Sequence, residues 1–167
     1  WKGRAYCDYS YHITLGGEIG QEHLAQMRDA VAEGFATFKM FTTSVRPVAE
    51  RSGSNRVDFG RLAAVLAEAA RLGAVCAIHA EDDDIVMYNY QRHKETNAME
   101  WWHMHEVHNH LSEELSFRRT VAVAARTGAA IYFVHVSARE SVDAIADARR
   151  RGLPVCGETL HIYVTFD

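Results

Sequence analysis

The sequence predicts an α/β fold in which about five parallel strands alternate with amphipathic helices. The main observation is that the spacing of apolar residues changes repeatedly from a helical to a strand-like pattern. The second is that a glycine stands at each change, where a left-handed residue commonly ends a helix. With 167 residues, the chain is long enough for about one domain.

Four units of helix, glycine and strand follow an initial strand near residues 6–14. The predicted helices cover residues 21–33, 59–72, 113–127 and 138–151. The predicted strands after them cover residues 35–38, 74–78, 129–134 and 153–157. Ser137 and Glu140 fit a capping box that opens the last helix. Because the strands are continuously apolar and lie between helices, we expect a parallel sheet that is covered on both faces.

The composition argues against several classes of partner. The formal net charge is −4 and the two signs are mixed along the chain, so we expect no nucleic-acid partner. No apolar run approaches the roughly 20 residues of a membrane helix, so we expect no membrane partner. Cys7, Cys76 and Cys156 are odd in number and stand in apolar runs. They are expected to be buried thiols in a reducing compartment, which predicts a cytoplasmic protein.

Polar residues follow the predicted strands at equivalent places. Lys39, His79, His135 and Glu158 lie 5, 6, 7 and 6 positions after the glycines that end the preceding helices. They therefore fall at the carboxyl edge of a parallel sheet, which is where barrel enzymes place their chemistry. A doubly wound open sheet would contain similar units, but no glycine-rich phosphate loop follows any strand, which favours the barrel.

The lysine and the two histidines permit two interpretations. Lys39 could bury its stem and extend its ammonium into solvent, or it could be a neutral amine that has reacted with CO2 to give a carbamate. A carbamate is an anion with two oxygens that can bridge two cations. His79 and His135 could each be an ordinary packed histidine, but neutral imidazoles are also the usual nitrogen ligands of zinc-like metals.

Five segments resemble, in order, the signature segments of one enzyme family. They are Asp8-Tyr9-Ser10-Tyr11-His12, Phe38-Lys39-Met40-Phe41, His79-Ala80-Glu81, Val134-His135-Val136-Ser137 and Gly157-Glu158-Thr159. Together they are similar to dihydropyrimidinases and D-hydantoinases over nearly the whole chain. The resemblance implies that residues 1–167 are the central part of a TIM-like (β/α)8 metallo-hydrolase barrel, a partial catalytic domain that lacks the remaining strands.

The resemblance also implies a binuclear metal centre with two divalent ions, expected to be Zn2+. Lys39 would be the carboxylated bridging lysine, which requires CO2, and His79 and His135 would bind one of the two metals. The family's other ligands are a His-x-His pair on an earlier strand and an Asp on a later one. Neither lies in this chain. That Asp is the expected proton shuttle, so no catalytic residue is assigned here and the fragment alone is expected to be inactive.

The implied reaction is hydrolysis of a cyclic amide C–N bond by a metal-bound hydroxide, which opens a hydantoin or dihydropyrimidine ring. An allantoinase or dihydroorotase activity is the nearest alternative, since those enzymes share the metal plan. A non-enzymatic relative that keeps the barrel as a scaffold is an alternative of another class. The resemblance further implies a small cyclic ureide or imide as substrate, and a homo-oligomer, specifically a tetramer.

Two residues are weak candidates for substrate contacts. Ser44 stands where related enzymes carry a tyrosine shortly after the lysine, so we expect changed selectivity. His161 lies just beyond Glu158, close to the expected active face. The long segments 41–58 and 80–111 follow strand ends and are expected to build the substrate site. Trp101, Trp102 and Tyr163 could supply hydrogen-bond donors there or form a pocket wall.

A histidine cluster in the second long segment is not expected to bind metal. Two His-x-His patterns occur there, at His103 to His105 and at His108 to His110. Both follow His79 in the chain, whereas the family's His-x-His precedes the lysine. We therefore expect a solvated or packed segment of helix and loop. Glu158 is expected to accept hydrogen bonds from neighbouring loop N–H groups, not to bind metal.

Overall fold

Residues 3–44 and 55–165, which this computed structural model describes, contain a parallel sheet whose strands follow one another in chain order. The strands are β1 (Ile13–Thr14), β2 (Thr37–Phe41), β3 (Val75–His79), β4 (Ala130–Phe133) and β5 (Val155–Gly157). Each strand pairs in parallel with the next. The strand order of a doubly wound sheet reverses at a switch point, so the consecutive order identifies a segment of a (β/α) barrel. This confirms the predicted fold class.

Helices separate the strands. They are α1 (Gln21–Ala32), α2 (Phe59–Leu72), α3 (Asp83–Glu95), α4 (Met104–Val107), α5 (His110–Thr127), α6 (Arg139–Arg150) and α7 (Ile162–Thr165), with a short 3-10 helix (Trp101–His103) before α4. The predicted helices correspond to α1, α2, α5 and α6. Gly73 and Gly128 end α2 and α5 with φ angles of 67° and 75°, which a residue without Cβ adopts at little cost.

One face of the sheet packs against the helices and forms the core. Side chains alternate along β2, where Phe38 and Met40 are buried while Thr37, Lys39 and Phe41 are half-buried. The buried face continues through the other strands with Cys76, Ile78, Ile131, Phe133 and Val155. The sheet was expected to be covered on both faces, but the second face of β2 is only half-buried among the described residues. The strands are barrel strands, whose second face carries the polar side chains.

Several local expectations differ from the structure. The first strand is restricted to Ile13–Thr14, and the preceding residues are mostly exposed. The segment 80–111, expected to combine helix and loop, contains α3, α4 and the 3-10 helix. Residues 45–54 of the other long segment lie outside the described residues. Cys76 is buried as expected, but Cys7 and Cys156 are exposed. Within the described ranges, the helices are too short or too polar to cross a bilayer.

The predicted capping box at the start of α6 is also wrong. Ala138 is the N-cap residue and contributes no side-chain hydrogen bond. The Ser137 hydroxyl instead donates to the Glu113 carboxylate, which accepts the backbone N–H groups of Ser137 and Ala138 as well. A buried carboxylate from α5 thus takes the place of the local cap.

We expect that Phe117→Ala destabilises the protein by about 3–5 kcal/mol, because it leaves a cavity in the core. Phe117 is 1% exposed, and its ring stacks on that of Phe133 with the centroids 3.8 Å apart. Urea unfolding followed by circular dichroism measures the change. Leu115→Ala on the same helix is the control, since Leu115 is 39% exposed. Equal losses in the two variants would contradict the assigned core.

Candidate metal centre

The register of β2 and β3 brings Lys39 and His79 to the same face of the sheet. Lys39 pairs with Ala77, and Phe41 pairs with His79, so His79 lies one pleat closer to the carboxyl edge. The Phe41 ring lies beside both, 5.0 Å from the Lys39 Nζ and 5.3 Å from the His79 ring between centroids. Lys39 was expected to follow its strand, but it lies in the middle of β2.

His79 and His135 meet at this edge. His79 is the last residue of β3, and His135 lies two residues beyond the end of β4. The His79 Nδ1 and the His135 Nε2 are 2.8 Å apart, and the ring centroids are 4.6 Å apart. The imidazoles thus direct one nitrogen each to a common point, as their sequence positions predicted.

Glu81 holds the other nitrogen of His79. The His79 Nε2 lies 2.7 Å from one Glu81 oxygen, and the His108 Nδ1 lies 2.8 Å from the other. Since a carboxylate accepts, a neutral His79 donates from Nε2, and its Nδ1 accepts from the His135 Nε2. Burial raises the pKa of Glu81, but the hydrogen bonds from His108 and His79 outweigh it and lower the pKa to about 2. Glu81 is therefore ionised at neutral pH.

These donors fit a metal ion of the zinc class. In a tetrahedral site with Zn–N bonds of about 2.0–2.1 Å, neighbouring nitrogens lie about 3.3 Å apart, so the two rings need to separate by only about 0.5 Å. A carboxylate on the far nitrogen is the usual partner of a metal-bound histidine. Burial, followed by the positive charge available at His79, lowers the pKa of His135, which favours the neutral ring that a metal requires.

Lys39 is electrostatically unusual. Burial lowers the pKa of its ammonium from 10.5 to about 8, although the negative charge of Glu158 opposes that change. Glu158 itself accepts a hydrogen bond from the Tyr132 hydroxyl at 2.7 Å. The sequence analysis expected loop N–H groups to donate to the Glu158 carboxylate, but the donor is the Tyr132 hydroxyl. The position of Glu158 beyond β5 nevertheless places a carboxylate near the lysine.

The turn that carries His135 is fixed on both sides. His135 has a φ of 44°, in the left-handed region that non-glycine residues seldom adopt. After it, the Val136 N–H donates to the Glu158 carbonyl at 2.7 Å. The Ser137 N–H then donates to the buried Glu113 carboxylate at 3.1 Å. These bonds hold a backbone conformation that points the ring of His135 toward His79.

A cavity of about 360 Å³ opens beside the two histidines. Its lining residues are His79, Ala80, Glu81, His108, Glu113, Phe117, Val134, His135, Ser137 and Tyr163. Tyr163 thus lies where a pocket wall was expected. Lys39, Ser44 and His161 are described residues that do not line it. Trp101 and Trp102 also lie outside it and are exposed.

The two predicted substrate contacts occupy other places. Ser44 is 2% exposed, and its backbone N–H donates to the Asp83 carboxylate at 2.6 Å. His161 is exposed at the start of the turn that leads into α7. A role for either in substrate binding stays a prediction.

Three functional candidates escaped the sequence analysis. Glu81 follows His79 by two residues, and that spacing could have identified it as the partner of the ring. His108 was expected to be an ordinary histidine, and its contact with Glu81 spans 27 residues. Glu113 gave no local signal, because its partners lie 24 and 25 residues away.

We expect Glu113→Ala to destabilise the protein by about 1–3 kcal/mol, because it leaves buried N–H groups of Ser137 and Ala138 without an acceptor. Thermal unfolding measures the loss. Glu114→Ala is the matched control, since the Glu114 pair with Arg118 lies near the surface and such pairs contribute little. The assignment fails if the neighbouring variant loses as much stability.

Comparison with known proteins supports one family. The D-hydantoinase of Geobacillus stearothermophilus is 30% identical over 171 residues, which is 99% of this chain and 34% of the relative. The D-hydantoinase of Streptomyces coelicolor is 32% identical over 166 residues, which is 98% of this chain and 33% of the relative. Allantoinases match at slightly lower identity. No family model matches the chain.

The crystal structure of dihydropyrimidinase from Brevibacillus agri superposes with a TM-score of 0.88 at 27% identity. The superposition covers 99% of this chain and 34% of that structure. The chain spans about a third of the length of the curated relatives that it matches. By sequence, strand order and overall superposition, the chain therefore belongs to the dihydropyrimidinase and D-hydantoinase family and corresponds to one segment of its (β/α)8 barrel.

Proposed function

We propose that the protein to which this chain belongs hydrolyses the C–N bond of a cyclic amide and opens a hydantoin or dihydropyrimidine ring. The observation that carries the proposal is the 2.8 Å approach of the His79 Nδ1 to the His135 Nε2 at the edge of a cavity. The relatives named D-hydantoinase and dihydropyrimidinase support the reaction class. A cavity of about 360 Å³ is within the usual range for a small ligand.

In this proposal, His79 and His135 hold one of two divalent metal ions, with Zn2+ as the expected element. When bound, such ions lower the pKa of water and polarise a carbonyl group. Glu81 fixes the tautomer of His79 by accepting from its Nε2. The turn held by Glu113 fixes the direction of the His135 ring. Tyr163 contributes a hydroxyl at the cavity wall that can orient a ring carbonyl.

Lys39 is proposed to be carboxylated and to bridge the two ions. Carboxylation requires a neutral amine, whose nitrogen bonds the carbon of CO2 and releases one proton. Burial lowers the pKa of Lys39 from 10.5 to about 8, which increases the fraction of neutral amine at pH 7. The half-buried position in β2 therefore supports the modification, because a fully solvated lysine would present far less reactive amine.

Residues 1–167 are proposed to be part of one catalytic barrel domain that is inactive without its other strands. We also propose that the protein forms a homo-oligomer, which the family resemblance implies is a tetramer. The cytoplasmic location is supported by the three cysteines, which are free.

An allantoinase or dihydroorotase activity is the second candidate. Ser44 favours it, because this position departs from the tyrosine of the hydantoinase pattern, and allantoinases are also similar to the chain. A purely scaffolding role is less favoured, because it gives no reason for two imidazoles to converge next to a lysine with a lowered pKa.

The full-length protein is expected to hydrolyse at least one member of a panel of hydantoin, phenylhydantoin, dihydrouracil, allantoin and dihydroorotate. Lys39→Gln and His79→Asn should each lower kcat/KM by more than about 100-fold, the upper range for loss of a residue that merely supports a ligand. Metal content should fall with activity. Lys94→Gln, at the exposed end of α3, is the control. Metal-loaded protein that turns over no substrate would exclude the reaction.

Ser44→Tyr is expected to change the relative kcat/KM values across the same panel. Ser44 is buried, so the larger ring must displace the segment after β2, which changes the substrate side of the site. Overpacking of this kind costs about 1–3 kcal/mol, so the thermal midpoint should fall as well. A variant with a lower midpoint and the same substrate profile would show that Ser44 does not determine selectivity.

A further inference from the structure

We propose that His93, His103 and Glu106 form a separate binding site for a divalent metal ion of the zinc class. The site lies in the segment between β3 and α5, and it goes beyond the proposed hydrolytic centre. It also differs from the sequence expectation that the histidines of this segment bind no metal. His103 meets His93 here, and the His-x-His pairing with His105 is not used.

The three donor groups already lie at ligand distances. Their candidate ligand atoms are all within 4.8 Å of one another. The His93 Nε2 is 3.2 Å from Glu106 Oε2, and the His103 Nδ1 is 2.8 Å from Glu106 Oε1. Donors of a tetrahedral zinc ion with bonds of about 2.0–2.2 Å lie about 3.3–3.5 Å apart. Binding therefore requires only small side-chain movements.

The tautomer of His93 points to a cation. Its Nδ1 donates to the Asn89 carbonyl at 2.9 Å, which leaves a lone pair on Nε2. In the neutral ring that lone pair faces a Glu106 carboxylate oxygen at 3.2 Å, and the contact is favourable only with a cation between the two atoms, either a proton on Nε2 or a metal ion. Only 4% of the His93 side chain is exposed. A metal ion in the place of that proton would be bound by the nitrogen and the oxygen together.

His103 also faces Glu106, but it differs from His93 in the surroundings of its second nitrogen. Its Nδ1 faces Glu106, while its Nε2 lies 4.0 Å from a carboxylate oxygen of Glu100. Histidines that bind metals usually direct the second nitrogen to a carbonyl or carboxylate, which orients the ring. His93 therefore has a hydrogen-bonded acceptor for its second nitrogen, whereas 4.0 Å is too long for such a bond between His103 and Glu100.

The surrounding backbone holds the ligands in place. Asn97 has a φ of 54° and reverses the chain after α3, which brings the 3-10 helix and α4 back against that helix. The Asn89 side chain donates to the carbonyls of Glu106 and Val107, at 3.1 and 3.4 Å. Asn89 thus fixes the Glu106 backbone with its side chain and the His93 ring with its carbonyl.

The donor set defines the ion. Two imidazoles and one carboxylate suit Zn2+ and its neighbours Ni2+ and Cu2+, whereas Mg2+ and Ca2+ prefer oxygen donors alone. The side chains of His103 and Glu106 are 32% and 40% exposed, so an ion and a fourth, solvent ligand can reach the site. The bound ion would link α4 to α3. His108, which contacts Glu81 in the candidate metal centre, lies two residues after Glu106, so the two sites are adjacent along the chain.

The test is the zinc content of the full-length protein, loaded with Zn2+ and dialysed against metal-free buffer. His103→Gln and Glu106→Gln should each hold one equivalent per chain less than the wild type. His105→Gln should match the wild type, because the His105 Nδ1 bonds the Trp102 carbonyl and lies outside the cluster. Both ligand variants alter partly exposed side chains, so folding, checked by circular dichroism, should be retained.

The readout is a difference between variants, so it is independent of how many ions Lys39, His79 and His135 bind. Equal zinc content in the wild type and both ligand variants overturns the proposal, and it means that a proton alone occupies the cluster. An equal loss in His105→Gln also overturns it, because the zinc would then be bound adventitiously by surface histidines.

Discussion

The candidate site depends on one constraint. Side chains alternate between the two faces of each parallel strand, and one of these faces is packed against the helices. Phe38 and Met40 are buried under the helices, and this orientation of β2 forces Lys39 to the opposite face. The register with β3 then sets the distance along the sheet at which His79 stands. No special contact is needed to bring Lys39 and His79 to one face, because the apolar residues that stabilise the sheet also determine where these side chains point.

Much of this was predictable because the signals are local. Helical spacing and the terminal glycines gave the position of α2 to the residue, and α6 to within one residue at each end. The convergence of His79 and His135 followed from the rule that parallel strands end at one edge. The first strand was overestimated, because the residues before Ile13 have strand-like composition, whereas within the described residues only Ile13 and Thr14 pair with β2.

The parts that could not be predicted depend on contacts between distant residues. Glu81 contacts its near neighbour His79 and also His108, which lies 27 residues further along the chain. Glu113 links α5 to the turn after β4 across 24 residues. The grouping of His93 with His103 depends on the chain reversal at Asn97. The spacing of residues along the sequence does not identify such pairs. Buried carboxylates of this kind become visible only when burial and partners are known together.

The left-handed backbone at His135 limits which residues can occupy that position at all. Glycine, asparagine and aspartate tolerate such a φ, whereas a β-branched residue would add about 1–2 kcal/mol of backbone strain. Replacing His135 by valine would therefore combine two unrelated losses, while asparagine removes the ring and leaves the turn intact. The set of acceptable residues at this position is therefore small on backbone grounds alone, separately from the metal-binding role proposed for His135.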